Sequence, residues 1–374
     1  MKVNIQKEDL LYAVQAVERA VSNKNTLPVL GGILITAKDG LLSFRATDLE
    51  MAMECVINGD IVEEGEVAVP GRKFAGITRL LPSANISLES MGREQLLVEY
   101  ERSQMSVPCF LAEEFPALPQ PEGEIQGTIP VKPFRRLVRQ VSIAAANDEV
   151  RPVFTGILLE ISGDKITMVA TDTHRLAKGV CPWQGQGEAS LIIPCRTLQE
   201  IARLAVNEED EIVLTANRNQ AYFHLGNLTF TSRVITGQYP DYKQVLPADN
   251  LFCCHSLINN QRLCNALERA SLISRDVTRG KGNIVRLTFE GDKLLLAAEV
   301  PDEGTIKEEL PAEIEGETLV SNYNARYLLE ALKVIEDDMV CFRLTGSTTP
   351  GVIEAATEEN KDYMYLVLPV RVSR

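Results

Sequence analysis

The residue types of a catalytic centre come together in one place, Asp172-Thr173-His174-Arg175. A carboxylate two residues from an imidazole has the makings of a general base and the group that orients it. The same aspartate also fits an Asx turn, in which its side chain hydrogen-bonds backbone a little further on. Nothing elsewhere matches G-x-S-x-G, H-E-x-x-H, a P-loop or a dinucleotide glycine pattern. His224 and His255 stand alone, as packed or surface imidazoles do. The 8 cysteines (Cys55, Cys109, Cys181, Cys195, Cys253, Cys254, Cys264 and Cys341) form no C-x-x-C and have no histidine at zinc spacing. They read as reduced, mostly buried thiols, with no metal and no cofactor expected.

A second cluster is apolar. Tyr239-Pro240-Asp241-Tyr242 and Val245 lie in a loop, and the chain ends in Tyr365-Leu366-Val367-Leu368-Pro369-Val370-Arg371. Such a tail is either a last strand packed on the core or the rim of a groove for a partner peptide, Pro369 halting strand pairing.

The elements that hold these residues occur in repeats. Pro152-Val153-x-x-Gly156-Ile157-Leu158 echoes Pro28-Val29-x-x-Gly32-Ile33-Leu34, and Ala170-Thr171-Asp172 echoes Ala46-Thr47-Asp48, all 124 residues apart, as are Pro70/Pro194 and Arg72/Arg196. At an offset of 128, Gly163-Asp164-Lys165-Ile166 returns as Gly291-Asp292-Lys293-Leu294 and Ala170 as Ala298. The chain therefore reads as three tandem copies of one unit of about 125 residues, the size of a domain and far beyond solenoid periods. Asp48 has no histidine after it, so the Thr-Asp element is structural and His174-Arg175 a local addition.

Each unit carries two helices among short strands, an α+β domain with antiparallel hairpins. Helical spacing or proline punctuation marks 7–20, 71–81, 131–146, 194–206, 256–275 and 321–335. Asp39-Gly40 is a hairpin signal between strands 32–36 and 41–47. Further strands are expected at 86–88, 95–100, 103–109, 284–289, 294–300, 340–344 and 363–369. The Pro/Gly-rich run 115–130 is expected as a linker and 232–250 as a second crossing. The domains then span 1–122, 128–246 and 247–374.

Of 374 residues 45% are hydrophobic and 24% charged, an ordinary globular balance without an apolar membrane-length run. The charged, amphipathic start predicts a cytoplasmic chain. The net charge of −14 argues against a conventional basic DNA-binding protein, but its distribution matters. The six helical windows together carry +10 and everything else −24. Helices that all faced one side would make that side positive within an acidic body.

At TLPVLGGILI with ATDLEMAM, RPVFTGILLE with ATDTHRLA, SRVITGQYPDY and YLVLPVR the whole chain closely resembles the β-subunit (β sliding clamp) family of bacterial DNA polymerase III. The resemblance implies a non-catalytic processivity factor, a head-to-tail homodimer whose six domains close a ring around double-stranded DNA. Helices would line the hole, with Lys24, Arg72, Lys73, Arg79, Arg135, Arg139, Arg196 and Arg203 as contributors. It further implies a groove between the second and third domains for linear peptides. The replicative polymerase's catalytic subunit, the ATP-driven clamp loader, other polymerases and mismatch-repair proteins would dock there. Its walls would be Phe154, Thr171, Leu176, Pro240, Val245, Leu366 and Leu368, with His174, Arg175, Pro369, Val370 and Arg371 as polar and outer parts. The joint would set Met105 and Val107 against Leu272 and Ile273 of the other subunit. Two departures stand out: Thr173 occupies a place where the family often has glycine, and the chain continues past the usual end with Val372-Ser373-Arg374. The residues by themselves leave open an enzyme using Asp172, His174 and Arg175, and a scaffold that binds through the tail groove without forming a ring.

Overall fold

The computed structural model describes residues 1–374 except 23–26, 149, 274–282, 301–303, 358–359 and 372–374. Six α-helices occur among the described residues: α1 Lys7–Val17, α2 Gly71–Leu80, α3 Val131–Ser142, α4 Cys195–Leu204, α5 Asn260–Ile273 and α6 Ala325–Leu332. Each begins at the residue that follows a strand. Pro70, Pro130 and Pro194 end the strands before α2, α3 and α4. Proline lacks the N–H a strand ladder needs, and its fixed φ suits the entry to a helix.

The other junctions lack that signal. Windows 256–275 and 321–335 were expected to be helical throughout, yet Cys254–Asn259 and Leu319–Asn324 are strands. Asparagine serves as the switch at these junctions. The Asn324 side chain accepts from the Arg326 N–H at 3.0 Å, and buried Asn260 donates to the carbonyls of Leu332, Ile335 and Asp337 at 3.0–3.2 Å. The expected linker 115–130 is also corrected at its end, because Ile125–Pro130 is a strand between Gln184–Gln186 and Glu211–Ala216. The run Met51–Asn58, Asp60–Glu63 and Gly65–Pro70 adds strands that sequence spacing did not mark.

The chain divides into two compact units, 1–131 with 184–187 and 196–234, and 132–183 with 188–195 and 235–374. The first holds a five-stranded and a nine-stranded antiparallel sheet. In its nine-stranded sheet Met51–Asn58 lies beside Leu228–Arg233, so the first repeat's sheet runs directly into the second's. α1 packs on this sheet and against α2, burying Leu10, Ala13, Val14 and Val17. That apolar stripe supplies most of the drive to hold the helix there.

The second unit holds a twelve-stranded sheet. It is continuous across the next repeat boundary, where Arg175–Pro182 pairs antiparallel with Tyr363–Val367. The close fit at this seam shows at Gly179, where an added Cβ would meet Leu137 of α3 at 2.3 Å. Tyr363, opposite Gly179, is buried and its hydroxyl donates to the Gln140 carbonyl at 3.2 Å. α5 packs on the strands of the third repeat and against α6.

Candidate functional site

Four residues explain how the chemistry-bearing stretch is held. Thr171 Oγ1 donates to the Arg175 carbonyl at 2.7 Å, and Asp172 Oδ1 accepts from the His174 and Arg175 N–H groups at 3.0 Å each. This is an Asx turn. It carries Thr173 at φ +76, a left-handed conformation that costs a β-branched residue strain. The other carboxylate oxygen of Asp172 takes the Arg175 Nε at 3.0 Å. The carboxylate is thus spent on the turn and on Arg175, with no contact to orient the His174 ring, which stacks 6.4 Å from Tyr327 instead.

Arg175 was expected at the polar outer part of a groove. Its side chain is buried, at 6% exposure. It is held between Asp172 and Glu330 of α6, with its guanidinium 4.3 Å from the centre of the Tyr327 ring. Burial works against its charge, but Tyr365 and Glu330 outweigh it and keep the guanidinium firmly protonated. Burial likewise opposes charge on Glu330, yet hydrogen bonds from Arg175 and from Arg326 (2.7 Å) win and lower its pKa. Arg175 is therefore the bolt beneath the site, fastening the turn to α6.

Above the bolt lies a cavity of about 640 Å³, lined by Phe154, His174, Arg175, Arg151, Asp148, Val150, Arg326 and Tyr327 among others. Phe154 meets Tyr239 edge-on at 6.3 Å and has the Arg151 guanidinium 5.9 Å from its ring centre. Beneath the neighbouring surface Leu176 and Leu366, opposite each other across the seam, join Leu158, Val169, Tyr242 and Val352 in one apolar cluster. They are core residues first, each 3% exposed, and can offer a partner only their outer edges. Thr171 pairs with Leu176, Pro240 is exposed, and Val245 is exposed beside buried Tyr242. The Tyr242 hydroxyl donates to Glu160 at 2.5 Å, which pins that loop. The tail is pinned too. The Leu368 N–H donates to the His174 carbonyl at 2.9 Å and the Val370 N–H to the Asn322 carbonyl at 2.7 Å, with Leu368 and Arg371 exposed and Pro369 half-buried.

The structure thus gathers Phe154, His174 and Arg175 at the cavity and Leu176 and Leu366 in the cluster. Sequence reasoning missed Arg151, Arg326, Tyr327 and Glu330. Glu330 lies 155 residues from Arg175, and no local spacing could have joined them.

The expected helix cations differ in surroundings. Arg72 and Lys73 are exposed on α2 and make no ion pair among the described residues. Arg79 pairs with Glu18, Arg139 with Glu336 (3.1 Å), Arg196 with Asp48 (2.8 Å) and Arg203 with Glu200 (2.7 Å). Arg135 is half-buried on α3, and Lys24 lies outside the described residues. At the expected joint Met105 is half-buried, Leu272 71% exposed and Ile273 half-buried. Val107, also expected there, is buried at 1% exposure. Leu80, at the end of α2, is 88% exposed and had not been singled out. The thiols are quiet, since burial pushes Cys55, Cys181 and Cys195 up to about 12. No metal-binding cluster occurs among the described residues.

Comparisons with known proteins agree over the full length. Family models for the N-terminal, central and C-terminal domains of the DNA polymerase III beta subunit match residues 1–119, 128–241 and 243–371. The beta sliding clamp of Pseudomonas aeruginosa is 32% identical, with all of both chains covered. That of Bacillus subtilis is 30% identical, covering 99% of this chain and 100% of its own. Among solved structures, the Pseudomonas aeruginosa sliding clamp bound to griselimycin superimposes with a TM-score of 0.93 at 32% identity and full coverage of both chains. The Bacillus subtilis clamp does so with a TM-score of 0.93 at 29% identity, again with full coverage of both.

Proposed function

We propose a mode of action whose premise is kinship: the chain belongs to the DNA polymerase III beta-subunit family, the beta sliding clamps, which are non-catalytic processivity subunits. Two copies, joined head to tail, would set six like domains around duplex DNA, the three of each copy spanning 1–122, 128–246 and 247–374. The observation that carries this reading is the repeated seam. Strands join repeat one to two and two to three by the same antiparallel pairing, while Ser103–Pro108 ends its sheet and residues 304–311 pair along one edge only among the described residues.

Processivity by enclosure asks little of the wall. A surrounded duplex cannot leave sideways, so weak attraction suffices, and few phosphate contacts mean little counterion release per step. The helix cations fit that requirement. Arg72 and Lys73 offer unpaired charge, while Arg79, Arg139, Arg196 and Arg203 are each tempered by a carboxylate. Arg135 and Lys24 complete the proposed lining. The strongly negative remainder of the chain would repel DNA from the outside.

The cavity and the apolar cluster beside it are the proposed docking groove for the polymerase catalytic subunit, the clamp loader, other polymerases and mismatch-repair proteins. One or two apolar partner side chains would enter at Phe154, Leu176, Val245, Leu366 and Leu368. Thr171, His174, Pro240, Pro369, Val370 and Arg371 would flank the peptide, with Arg175 acting from beneath. The joint would bring Met105 against Leu272 and Ile273 of the other copy. A cytoplasmic place suits this work, and no helix among the described residues is long and apolar enough to cross a membrane.

The test is topological. Loaded onto a nicked circular plasmid by its cell's own clamp loader, the protein should co-elute with DNA and be lost when the circle is cut. Equal retention on linear and circular DNA would overturn enclosure. In the same preparation His174→Ala should weaken binding of a peptide copied from that cell's replicative polymerase and leave retention intact.

A further inference from the structure

We propose that Arg139 is a positioning residue of the docking cavity: it ties the end of α6 to α3 and so fixes the distance between two of the cavity's walls. The inference rests on the docking reading above, and it moves the main work of Arg139 from the lining to the groove.

The cavity is walled from three sides. The segment that leaves α3 brings Ala145, Ala146 and Phe154 among others, the turn brings Asp172–Arg175, and the first turn of α6 brings Arg326 and Tyr327. Arg175 and Glu330 fasten the turn to α6. The wall from α3 needs a tie of its own. Helix α6 is short, Ala325–Leu332, and the last carbonyls of any helix lack partners within it. Arg139 supplies the missing donor from α3. Its Nη2 donates to the Lys333 carbonyl at 3.0 Å and its Nη1 to Glu336 Oε1 at 3.1 Å. A guanidinium at that place also meets the negative end of the helix dipole.

Two neighbours on the same face of α3 work alongside it. Buried Gln140 donates to the Val334 carbonyl at 3.5 Å, and its own carbonyl accepts from the Tyr363 hydroxyl at 3.2 Å. Arg136 donates to Asn360 at 2.7 Å, and Asn360 donates to Asp337. Helix α3 therefore grips the segment after α6 at Lys333, at Val334 and, through Asn360, at Asp337. Arg139 is not itself in the cavity's lining, so it acts on a docked peptide only through the helix it holds.

The other repeats lack this tie. Shifted by 124, α1 matches α3 in its buried positions, with Leu10, Ala13, Val14 and Val17 standing for Phe134, Leu137, Val138 and Val141. Gln15 and Ala16 then hold the places of Arg139 and Gln140. Among the described residues no side-chain hydrogen bond joins either of them to the end of α4, where Arg203 pairs with Glu200 of its own helix. In the third repeat α5 begins at Asn260 as α3 begins at Val131, which puts Glu268 at the place of Arg139. By contrast Arg72 and Arg79 recur as Arg196 and Arg203, as a lining built from like domains would have it. An arginine present in one repeat, at the seam that carries the cavity, belongs with the cavity.

Peptide affinity and DNA retention tell the two roles apart. Arg139 is exposed, so Arg139→Ala should fold. It should weaken binding of the polymerase-derived peptide roughly fivefold, the order expected for a lost helix-end cation and an exposed ion pair. Retention on the nicked circle should match wild type. Arg139→Lys, whose ammonium reaches one acceptor where the guanidinium reaches two, should lose only about twofold. Amide exchange at Lys333 and Val334, whose N–H groups donate to the carbonyls of Leu329 and Ala331, should quicken in Arg139→Ala. Unchanged peptide affinity in Arg139→Ala, where His174→Ala has lost it, would overturn the proposal and leave the docking reading standing. A wild-type chain that fails to bind the peptide would overturn the docking reading and the proposal with it. Retention lost while affinity is kept would return Arg139 to the DNA.

Discussion

The turns Thr47-Asp48-Leu49-Glu50-Met51 and Thr171-Asp172-Thr173-His174-Arg175 are one backbone used twice. In both, the threonine hydroxyl donates to the carbonyl four residues on, at 2.9 and 2.7 Å. In both, the aspartate takes two N–H groups, at 2.9–3.1 Å in the first and 3.0 Å in the second. The residue after it is left-handed in each case, Leu49 at φ +74 and Thr173 at φ +76. They part at the fifth position. Met51 is an apolar residue buried in its seam, whereas Arg175 brings a buried charge that demands Asp172 and Glu330. The spare oxygen of Asp48 is free to hold Arg196 of α4 at 2.8 Å. A duplicated fold thus supplies the loop, and a single substitution at its end converts a plain seam into one bolted to the neighbouring repeat's helix.

The largest test removes the aspartate from each turn. Asp172→Ala deprives a buried guanidinium of one partner and should cost about 3 kcal/mol. Asp48→Ala loses the same turn bonds and an exposed ion pair, and should cost about 1 kcal/mol. Urea denaturation of the two variants compares them. Equal costs would mean that Arg175 is no more demanding than Met51.

A middle-sized effect is expected with pH. The pKa of Glu330 lies below the ordinary glutamate value of 4.5. A depressed carboxyl stabilises the fold above the unfolded-state pKa, and that stability is lost as pH falls through the folded value. Wild type should therefore exceed Glu330→Gln in stability at neutral pH, and the gap should close as pH falls below that ordinary glutamate value. A gap for Glu330→Gln that persists unchanged into acid would mean that packing, and not the ion pair, holds α6 to the turn.

How much of this was legible follows from the range of the forces involved. The repeat, the hairpin at Asp39-Gly40 and the helices behind Pro70, Pro130 and Pro194 are local matters of spacing and backbone chemistry, and they read correctly. The starts of α5 and α6 did not, since asparagine side chains make those switches and asparagine also occurs in plain turns. Residues 125–130 looked like linker because Pro and Gly there outweigh two isoleucines, and only pairing with Glu211–Ala216 makes them a strand. At the site, Phe154 and His174 were legible through the family resemblance. The burial of Arg175 was not, for it depends on Glu330 and Tyr327 from another repeat.

The smallest effect separates backbone from cargo most cleanly. A non-glycine residue in the left-handed region costs roughly 1–2 kcal/mol, and glycine returns part of that as lost chain entropy. Thr173→Gly and Leu49→Gly should therefore each stabilise by about 0.5 kcal/mol, Thr173 the more because it is β-branched. Their consequences for function should have opposite character. Loosening Leu49 touches only a seam, so peptide binding should stay as it was. Loosening Thr173 frees His174, whose carbonyl anchors the Leu368 N–H and whose ring rests against Tyr327. A glycine there should gain stability in thermal melts yet lose a few-fold in affinity for the polymerase-derived peptide, since the rim must be ordered anew on binding. If affinity rose with stability instead, the strained threonine would be obstructing the groove, and the rigidity of the second turn would count for nothing in recognition.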